Sequence, residues 1–227
     1  MEKDAFSFAV LITAAGNSSR MNGKTKKEYQ LFQGKPVLFH AIDAFLRSEI
    51  CRWFVITFPP GTRKEMEKIL AAHPVYHDIT LVEGGNTRQE SVRKGLESLK
   101  EKAPSGILIH DGARPWIKPE LIREVAKLVR EYGAAAPAVP VVNTPKRIGP
   151  EGRIEEHCSR DEVMGIQTPQ GFRYTEILEA HKKAADDGCR YVDDTEIYHR
   201  YMGPVMTCTG DPENRKITYS HDLEGLQ

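Results

Sequence analysis

Short apolar runs alternate with amphipathic stretches along most of the 227-residue chain. Five of these runs are apolar almost throughout, which is typical of strands that are covered on both faces; they are 8–13, 53–58, 79–82, 106–110 and 134–140. The stretches between them have the apolar spacing of helices; they are 36–47, 63–72, 88–99 and 119–132. Repeated strand–helix–strand units predict an α/β fold with a doubly wound, mostly parallel, Rossmann-like sheet.

The alternation breaks after Pro140, where residues 141–165 are polar. A turn sequence at 149–152 separates two short extended segments there, and we interpret the whole segment as a protruding β-hairpin arm. An isolated hairpin needs a partner surface to be stable, which is either the domain itself or a second subunit. Helical patterns return at 174–187 and around 194–201, followed by a strand-like run at 205–209. We find no internal repeat or linker, so residues 1–227 are predicted to form a single domain that carries the arm.

Composition disfavours several classes of protein. The chain has 32 lysines and arginines and 32 acidic residues, so it lacks the basic excess that is typical of nucleic-acid binding. The four cysteines are scattered and form no C-x-x-C pair, which disfavours a zinc knuckle and suits a reducing cytosol. The sequence contains no signal-peptide core and no apolar segment approaching about 20 residues. We therefore expect a cytoplasmic protein that binds neither nucleic acid nor membranes.

A loop of small residues follows the first strand and leads into basic residues. Ala14, Ala15 and Gly16 precede Arg20 and Lys27, with further lysines between them. In open α/β sheets, ligands bind beyond the carboxyl ends of the strands. Small residues there let a ligand approach the backbone, whose amides can bind phosphate oxygens. Position 18 is a serine, which excludes both the P-loop and the G-x-G-x-x-G fingerprint. If this loop stood alone, a solvated basic loop would be the simpler interpretation.

Similar polar clusters follow later strands. The turn Gly84-Gly85 leads into a helix at Arg88, whose first free amides attract anions. The segment "HDGARP" contributes Asp111 and Arg114, and a carboxylate that faces phosphates is a typical Mg²⁺ ligand. Further hydroxyls and cations occur at Thr144, Lys146, Arg147, Arg160, Thr168, Arg215 and Lys216. No serine-hydrolase elbow and no metal-binding histidine spacing accompanies them.

Seven segments, taken in order, resemble the motifs of one enzyme family. They are "AAGNSSRM", "KKEY", "GGNTRQESV", "HDGARP", "NTPKRI", "IQTPQGF" and "NRKIT", and the resemblance extends from about Val10 to Leu223. The family is that of the 2-C-methyl-D-erythritol 4-phosphate cytidylyltransferases of the non-mevalonate isoprenoid pathway. The resemblance implies a nucleotidyltransferase that uses CTP and a sugar-alcohol phosphate, requires Mg²⁺ and releases pyrophosphate.

The resemblance also implies roles for individual residues. Arg20 and Lys27 are expected to be the catalytic cations that stabilise the transition state. The expected CTP contacts are Ala14, Ala15, Gly16, Gly85, Ser91, Asp111 and Arg114, and Asp111 is also the expected metal ligand. Lys216 is expected to hold the attacking phosphate. Thr144 and Arg160 would bind the alcohol phosphate from the arm of a partner subunit, which implies a homodimer.

The sequence departs from the family pattern at two places near the phosphates. Residues 17–19 are Asn-Ser-Ser where most members have one or two glycines, and Glu28 follows Lys27 where glutamine is usual. If Glu28 turns inward, we expect it to weaken the positive field at the phosphate. Three alternatives stay open: a ribitol-5-phosphate cytidylyltransferase, a sugar-phosphate nucleotidyltransferase that uses UTP or GTP, and a non-catalytic nucleotide-binding module.

Overall fold

The computed structural model describes residues 6–16, 26–219 and 222. Its strands are β1 Phe8–Thr13, β2 Leu31–Phe32, β3 Lys35–Pro36, β4 Cys51–Phe58, β5 Ile79–Glu83, β6 Gly106–Asp111, β7 Ala134–Pro140, β8 Lys146–Ile148, β9 Ile154–His157, β10 Met164–Ile166, β11 Gln170–Arg173 and β12 Met206–Thr209. Its α-helices are α1 Val37–Ser48, α2 Arg63–Leu70, α3 Arg88–Glu97, α4 Pro119–Tyr132, α5 Tyr174–Asp186 and α6 Asp194–Tyr201. Every predicted strand and helix is present, with ends that differ by at most two residues.

The large sheet is mostly parallel, as predicted. Strands β5, β4, β1 and β6 are parallel neighbours in that order, and β12 lies parallel to β7 on the far side. Strand β11 lies between β6 and β7 and is antiparallel to both, while β10 also pairs antiparallel with β7. The carboxyl ends of β1, β4, β5 and β6 therefore meet at one edge of the sheet, where the amino end of β11 joins them.

Both faces of the sheet are covered, which explains why β1 is apolar from Phe8 to Ile12. Val10 and Ile12 pack in a core with α1 and α4, whereas Leu11 packs on the opposite face with Leu96 of α3 and Ile177 of α5. Successive strand residues point to opposite faces, so each of them needs an apolar neighbour. Among the described helices, none is long and apolar enough to cross a bilayer.

Strand β11 is absent from the sequence prediction. Its sequence is Gln-Gly-Phe-Arg, which has little intrinsic strand preference. It is a strand because β6 and β7 pair with it on both sides. A methyl group on Gly171 would come within 2.6 Å of Val129 in α4, so this strand also requires a glycine to let the helix approach. The pairing with β6 and β7 and the need for Gly171 both depend on the surrounding structure, so no periodic pattern in the sequence predicts this strand.

The arm predicted at 141–165 contains the antiparallel hairpin of β8 and β9. Its turn places Glu151 and Gly152 at φ values of 67° and 76°, the left-handed region that the Gly-rich turn sequence suits. The arm exposes the apolar side chains of Val142, Ile148 and Ile154. Its role in dimerisation remains a prediction.

Candidate active site

A cleft lies at the edge of the sheet where β1, β5 and β6 end. The described residues that line it include Gly16, Lys27, Gly85, Arg88, Asp111 and Lys216. These residues come from four separate parts of the chain. They meet because parallel strands deliver the loops that follow them to the same edge.

Asp111, the last residue of β6, lies among three cations. Its Oδ2 is 2.8 Å from Lys216 Nζ and 3.5 Å from Arg114 Nε, and its Oδ1 is 3.6 Å from Arg88 Nε. Burial alone would raise the pKa of the Asp111 carboxyl, but Lys216, Arg88 and Arg114 together hold that pKa far below its ordinary value. Asp111 is therefore an ionised carboxylate at neutral pH.

A chain of buried hydrogen bonds fixes the backbone at Asp111. The Asp111 amide donates to Thr168 Oγ1 at 3.1 Å, and Thr168 Oγ1 lies 3.0 Å from His110 Nδ1. His110 Nε2 lies 3.2 Å from the Arg114 carbonyl oxygen, so Nε2 carries the hydrogen and donates it. Burial lowers the pKa of His110 to about 4. The ring is therefore neutral, and Nδ1 accepts the Thr168 hydroxyl.

Arg88 joins Asp111 to a second, deeper carboxylate. Arg88 Nη2 lies 2.7 Å from Oδ2 of Asp194, and Asp194 Oδ1 lies 3.1 Å from His181 Nε2. Asp194 and His181 are fully buried. Burial would raise the pKa of Asp194, but Arg88 and His181 hold it below its ordinary value. Arg88 is thus held between two carboxylates, and its guanidinium cannot move away from the cleft without breaking its ion pair with Asp194.

Sequence reasoning gave Arg88 and Asp194 no role in the site. Asp194 entered only as the first residue of the helical pattern at 194–201. The available signal is the arginine at the first turn of α3, because an arginine next to the positive end of a helix needs an anionic partner. Which carboxylate supplies it depends on the packing of α5 and α6 against α3.

The C-terminal segment places Lys216 in the same cleft as Lys27. Lys27 Nζ donates to the Ile217 carbonyl oxygen at 3.0 Å, and the Ile217 amide donates to the Ala113 carbonyl oxygen at 2.8 Å. These bonds tie Lys27 and its neighbour along the cleft, Lys216, to the loop after β6. Lys27 and Lys216 therefore share one cleft although 189 residues separate them in the sequence. Arg20, the other predicted catalytic cation, lies outside the described residues.

The C-terminal segment also anchors Arg114. Arg114 Nη1 donates to the Asn214 carbonyl oxygen at 2.7 Å, and the Asn214 amide nitrogen Nδ2 donates to the Thr168 carbonyl oxygen at 2.8 Å. Asn214 is fully buried. Arg114 therefore lies against the carboxylate of Asp111 and the C-terminal segment, behind the described residues that line the cleft.

The turn after β5 forms another wall of the cleft. Ser91 Oγ accepts from the Gly85 amide at 3.0 Å and donates to the Thr87 carbonyl oxygen at 2.8 Å, so the Ser91 hydroxyl holds the turn. A methyl group on Gly84 would lie 2.7 Å from Ala15 Cβ, so a glycine is needed for the turn to approach the first loop. The predicted contacts Gly85 and Ser91 therefore do belong to the cleft wall.

The remaining predicted residues divide into two groups. Ala15 and Gly16 line the cleft, whereas Ala14 is buried and its amide donates to the Thr57 carbonyl oxygen at 3.0 Å. Thr144 and Arg160 lie in the arm and are not among the described residues that line the cleft of their own chain. Arg160 Nη2 donates to the Val142 carbonyl oxygen at 2.7 Å. A role for both in a partner's cleft remains a prediction.

The Glu28 side chain points inward, which is the condition under which we expected it to weaken the positive field at the phosphate. Its side chain is buried, with 3% of its surface exposed, and it lines the same cleft as Lys27 and Asp111. An acid therefore stands within a site whose other charged groups are mostly cations.

Comparison with known proteins agrees with this geometry. The family model described as IspD: 2-C-methyl-D-erythritol 4-phosphate cytidylyltransferase matches residues 8–226. The chain is 34% identical to the 2-C-methyl-D-erythritol 4-phosphate cytidylyltransferase of Geobacillus kaustophilus over 95% of its own length and 93% of the relative's.

Two solved structures are similar over nearly the whole chain. The 4-diphosphocytidyl-2C-methyl-D-erythritol synthase of Anaerococcus prevotii has a TM-score of 0.84 at 26% identity and covers 97% of this chain and 94% of that one. The 2-C-methyl-D-erythritol 4-phosphate cytidylyltransferase of Thermus thermophilus has a TM-score of 0.77 at 29% identity. It covers 96% of this chain and 95% of its own. The chain therefore belongs to the 2-C-methyl-D-erythritol 4-phosphate cytidylyltransferase family.

Proposed function

We propose that the cleft around Asp111 transfers the cytidylyl group of CTP to 2-C-methyl-D-erythritol 4-phosphate. The products are 4-diphosphocytidyl-2-C-methyl-D-erythritol and pyrophosphate, and the reaction belongs to isoprenoid precursor biosynthesis. The observation that carries the proposal is the meeting of Lys27, Asp111 and Lys216 in one cleft of a chain that belongs to this family. Membership of the family disfavours the non-catalytic alternative, and no observation favours ribitol phosphate or another nucleotide.

The reaction is an in-line displacement at phosphorus. A phosphate oxygen of methylerythritol phosphate forms a bond to the α-phosphorus of CTP, and the bond from that phosphorus to the bridging oxygen breaks to release pyrophosphate. No covalent enzyme intermediate is needed, so catalysis depends on positioning and on stabilising negative charge. Lys27, which is 9% exposed, and Arg20 are the proposed stabilising cations. A preorganised cation or donor in a buried site contributes about 3 kcal/mol to such a transition state.

Asp111 suits a magnesium ion that arrives with the triphosphate. Among the described residues, the polar neighbours of its Oδ1 are Thr13 Oγ1 at 3.4 Å and Arg88 Nε at 3.6 Å, both longer than an ordinary hydrogen bond. This ionised oxygen can therefore still bind a cation. Among the described residues, no group of three or more acidic, histidine or cysteine side chains is arranged to hold a metal ion. Mg²⁺ often needs only one or two carboxylates because phosphates and waters complete its shell, and when bound it neutralises charge on the phosphates.

The attacking substrate is proposed to bind at the Lys216 side of the cleft. The ion pair with Asp111 holds the Lys216 ammonium at the cleft, where it can hold a phosphate. The arm of a partner subunit would supply Thr144 and Arg160, and this sharing supports a homodimer. Among the described elements, the exposed apolar residues of the arm suit contact with another protein surface. Four free cysteines support a cytoplasmic location.

Pyrophosphate release tests the proposal directly. The purified protein is incubated with CTP, UTP or GTP and with methylerythritol phosphate, ribitol 5-phosphate or hexose phosphates, with and without a chelator. We expect release only with CTP and methylerythritol phosphate, and loss of that release when the chelator is present. Equal rates with ribitol 5-phosphate, or release that survives chelation, would contradict the substrate or the metal assignment respectively.

A further inference from the structure

The carboxyl group of Glu28 lines the cleft and has no role in the proposed reaction. Glu28 lies in a short 3₁₀ helix, Lys27–Tyr29, immediately after the first loop. Its Oε1 is 4.0 Å from where a methyl group on Gly16 would stand, so the carboxyl faces the backbone proposed to hold phosphate. Within the described part of the chain, its buried Oε2 has no hydrogen-bond partner. A buried carboxyl oxygen without a partner is unfavourable, and the Glu28 side chain that carries it lines a cleft that a ligand can fill.

The charges around Glu28, together with its burial, determine whether its carboxyl group is neutral or ionised. Lys26, Lys27 and Lys216 face it and favour the ionised form, as does a hydrogen bond to its own backbone amide. Burial outweighs these effects and raises the pKa of Glu28 above its ordinary value. The neighbouring Tyr29 hydroxyl stays neutral because burial, and then the charge of Glu28, raise its pKa. The neutral form of Glu28 is therefore accessible, and it carries an O–H donor.

A triphosphate shifts this balance further. An ionised Glu28 would repel phosphate oxygens and would compete with them for Lys27 and Lys216. A neutral Glu28 instead donates a hydrogen bond and does not compete with the ligand for either lysine. The negative charge of the bound nucleotide thus favours the neutral form, and binding above the pKa of Glu28 takes up one proton from solvent.

We propose that Glu28 is a further phosphate-binding residue of the CTP site, in which it acts as a neutral carboxylic acid whose hydroxyl donates a hydrogen bond to a triphosphate oxygen. The proposal rests on the proposed function, since it assumes that CTP occupies this cleft. It assigns a role to an inward-facing acid that the sequence alone suggested would only weaken the site.

The test is the pH dependence of CTP affinity in the wild type and in Glu28→Gln. Glutamine has the same size and is a neutral donor at every pH. Dissociation constants for CTP with saturating Mg²⁺ are measured by titration calorimetry between pH 5.5 and 9. Ionisation of the nucleotide affects both proteins alike, so the ratio of the wild-type constant to the Glu28→Gln constant isolates Glu28. We expect a ratio near one at low pH that rises by up to about tenfold per pH unit above the pKa of Glu28.

A matched control is Glu179→Gln, which makes the same chemical change at an exposed position on α5. The ratio of the wild-type dissociation constant for CTP to that of Glu179→Gln should stay near one at every pH. A second readout uses the wild type alone, in case Glu28→Gln does not fold. Addition of CTP at pH 8, where ordinary glutamates are ionised, should produce a carboxylic-acid C=O band in the infrared difference spectrum, and absence of that band would overturn the proposal.

The outcomes separate this proposal from the proposed function. If the ratio of the wild-type dissociation constant to the Glu28→Gln constant does not change with pH, Glu28 does not bind phosphate as a neutral acid, while CTP binding itself stands. A ratio that falls as pH rises means that the ionised carboxylate helps binding, as a metal ligand would, and this also overturns the proposal. If neither folded protein binds CTP at any pH, the proposed function fails and this inference fails with it.

Discussion

Replacement of Asp194 by asparagine should destabilise the protein because it breaks a buried ion pair. The carboxylate is fully buried and its Oδ2 lies 2.7 Å from Arg88 Nη2. At that distance the Coulomb attraction is about 6 kcal/mol for an effective dielectric constant of about 20, and the cost of desolvating both charges offsets part of it. Loss of one partner of a buried pair typically costs about 3–5 kcal/mol. Arg88 retains Asp111 at 3.6 Å, so we expect a loss near the lower end, about 3 kcal/mol.

This loss is measurable by urea unfolding and by thermal melting. For a chain of this size, about 3 kcal/mol corresponds to a decrease in Tm of about 6–12 °C. A double-mutant cycle with Asp194→Asn, Arg88→Met and the combined variant should give a coupling free energy of about 2 kcal/mol or more. Asp161→Asn, at an exposed position in the arm, is the matched control and should change stability by less than about 0.5 kcal/mol.

The pH dependence gives a second test of the same reasoning. Since the folded state lowers the pKa of Asp194, the ionised carboxylate stabilises the protein above the unfolded-state pKa of about 3.9. That stabilisation is lost as pH falls through the lower, folded-state pKa. The difference in unfolding free energy between the wild type and Asp194→Asn should therefore be largest near pH 7 and should shrink below about pH 4. Equal stability of the two proteins at pH 7, or a difference that persists unchanged into acid, would refute the argument.

Three further changes test the site. Lys27→Ala should lower kcat by about a hundredfold, as loss of about 3 kcal/mol of transition-state stabilisation requires; wild-type turnover would exclude the assigned role. Arg160→Ala should mainly raise the KM for the alcohol phosphate, and light scattering should show a dimer, so a fully active monomer would contradict a shared arm. Gly84→Ala should weaken CTP affinity measured by calorimetry, because its methyl group would lie 2.7 Å from Ala15 Cβ and force the two loops apart; unchanged affinity would show that the loops can separate freely.

Periodicity alone predicted most of the fold. Strands such as β1 and the second half of β4 are buried on both faces, so nearly every position there is apolar, and the pattern is visible without a structure. Helices such as α4 have one buried face and a spacing that only a helix satisfies. Strand β11 was missed because its residues have little strand preference and its hydrogen bonds come from both neighbours.

The sequence by itself determined the kind of site, and the tertiary structure decided its electrostatics. Ordered motifs identified Lys27, Asp111 and Lys216 as candidates, because the motifs resemble those of the family and these residue types suit a site for phosphates and Mg²⁺. The pairing of Arg88 with Asp194 and the inward orientation of Glu28 depend on burial and on distances between segments far apart in the chain. The energy of a charge varies with its solvation and its neighbours, so it becomes defined only when the chain has folded.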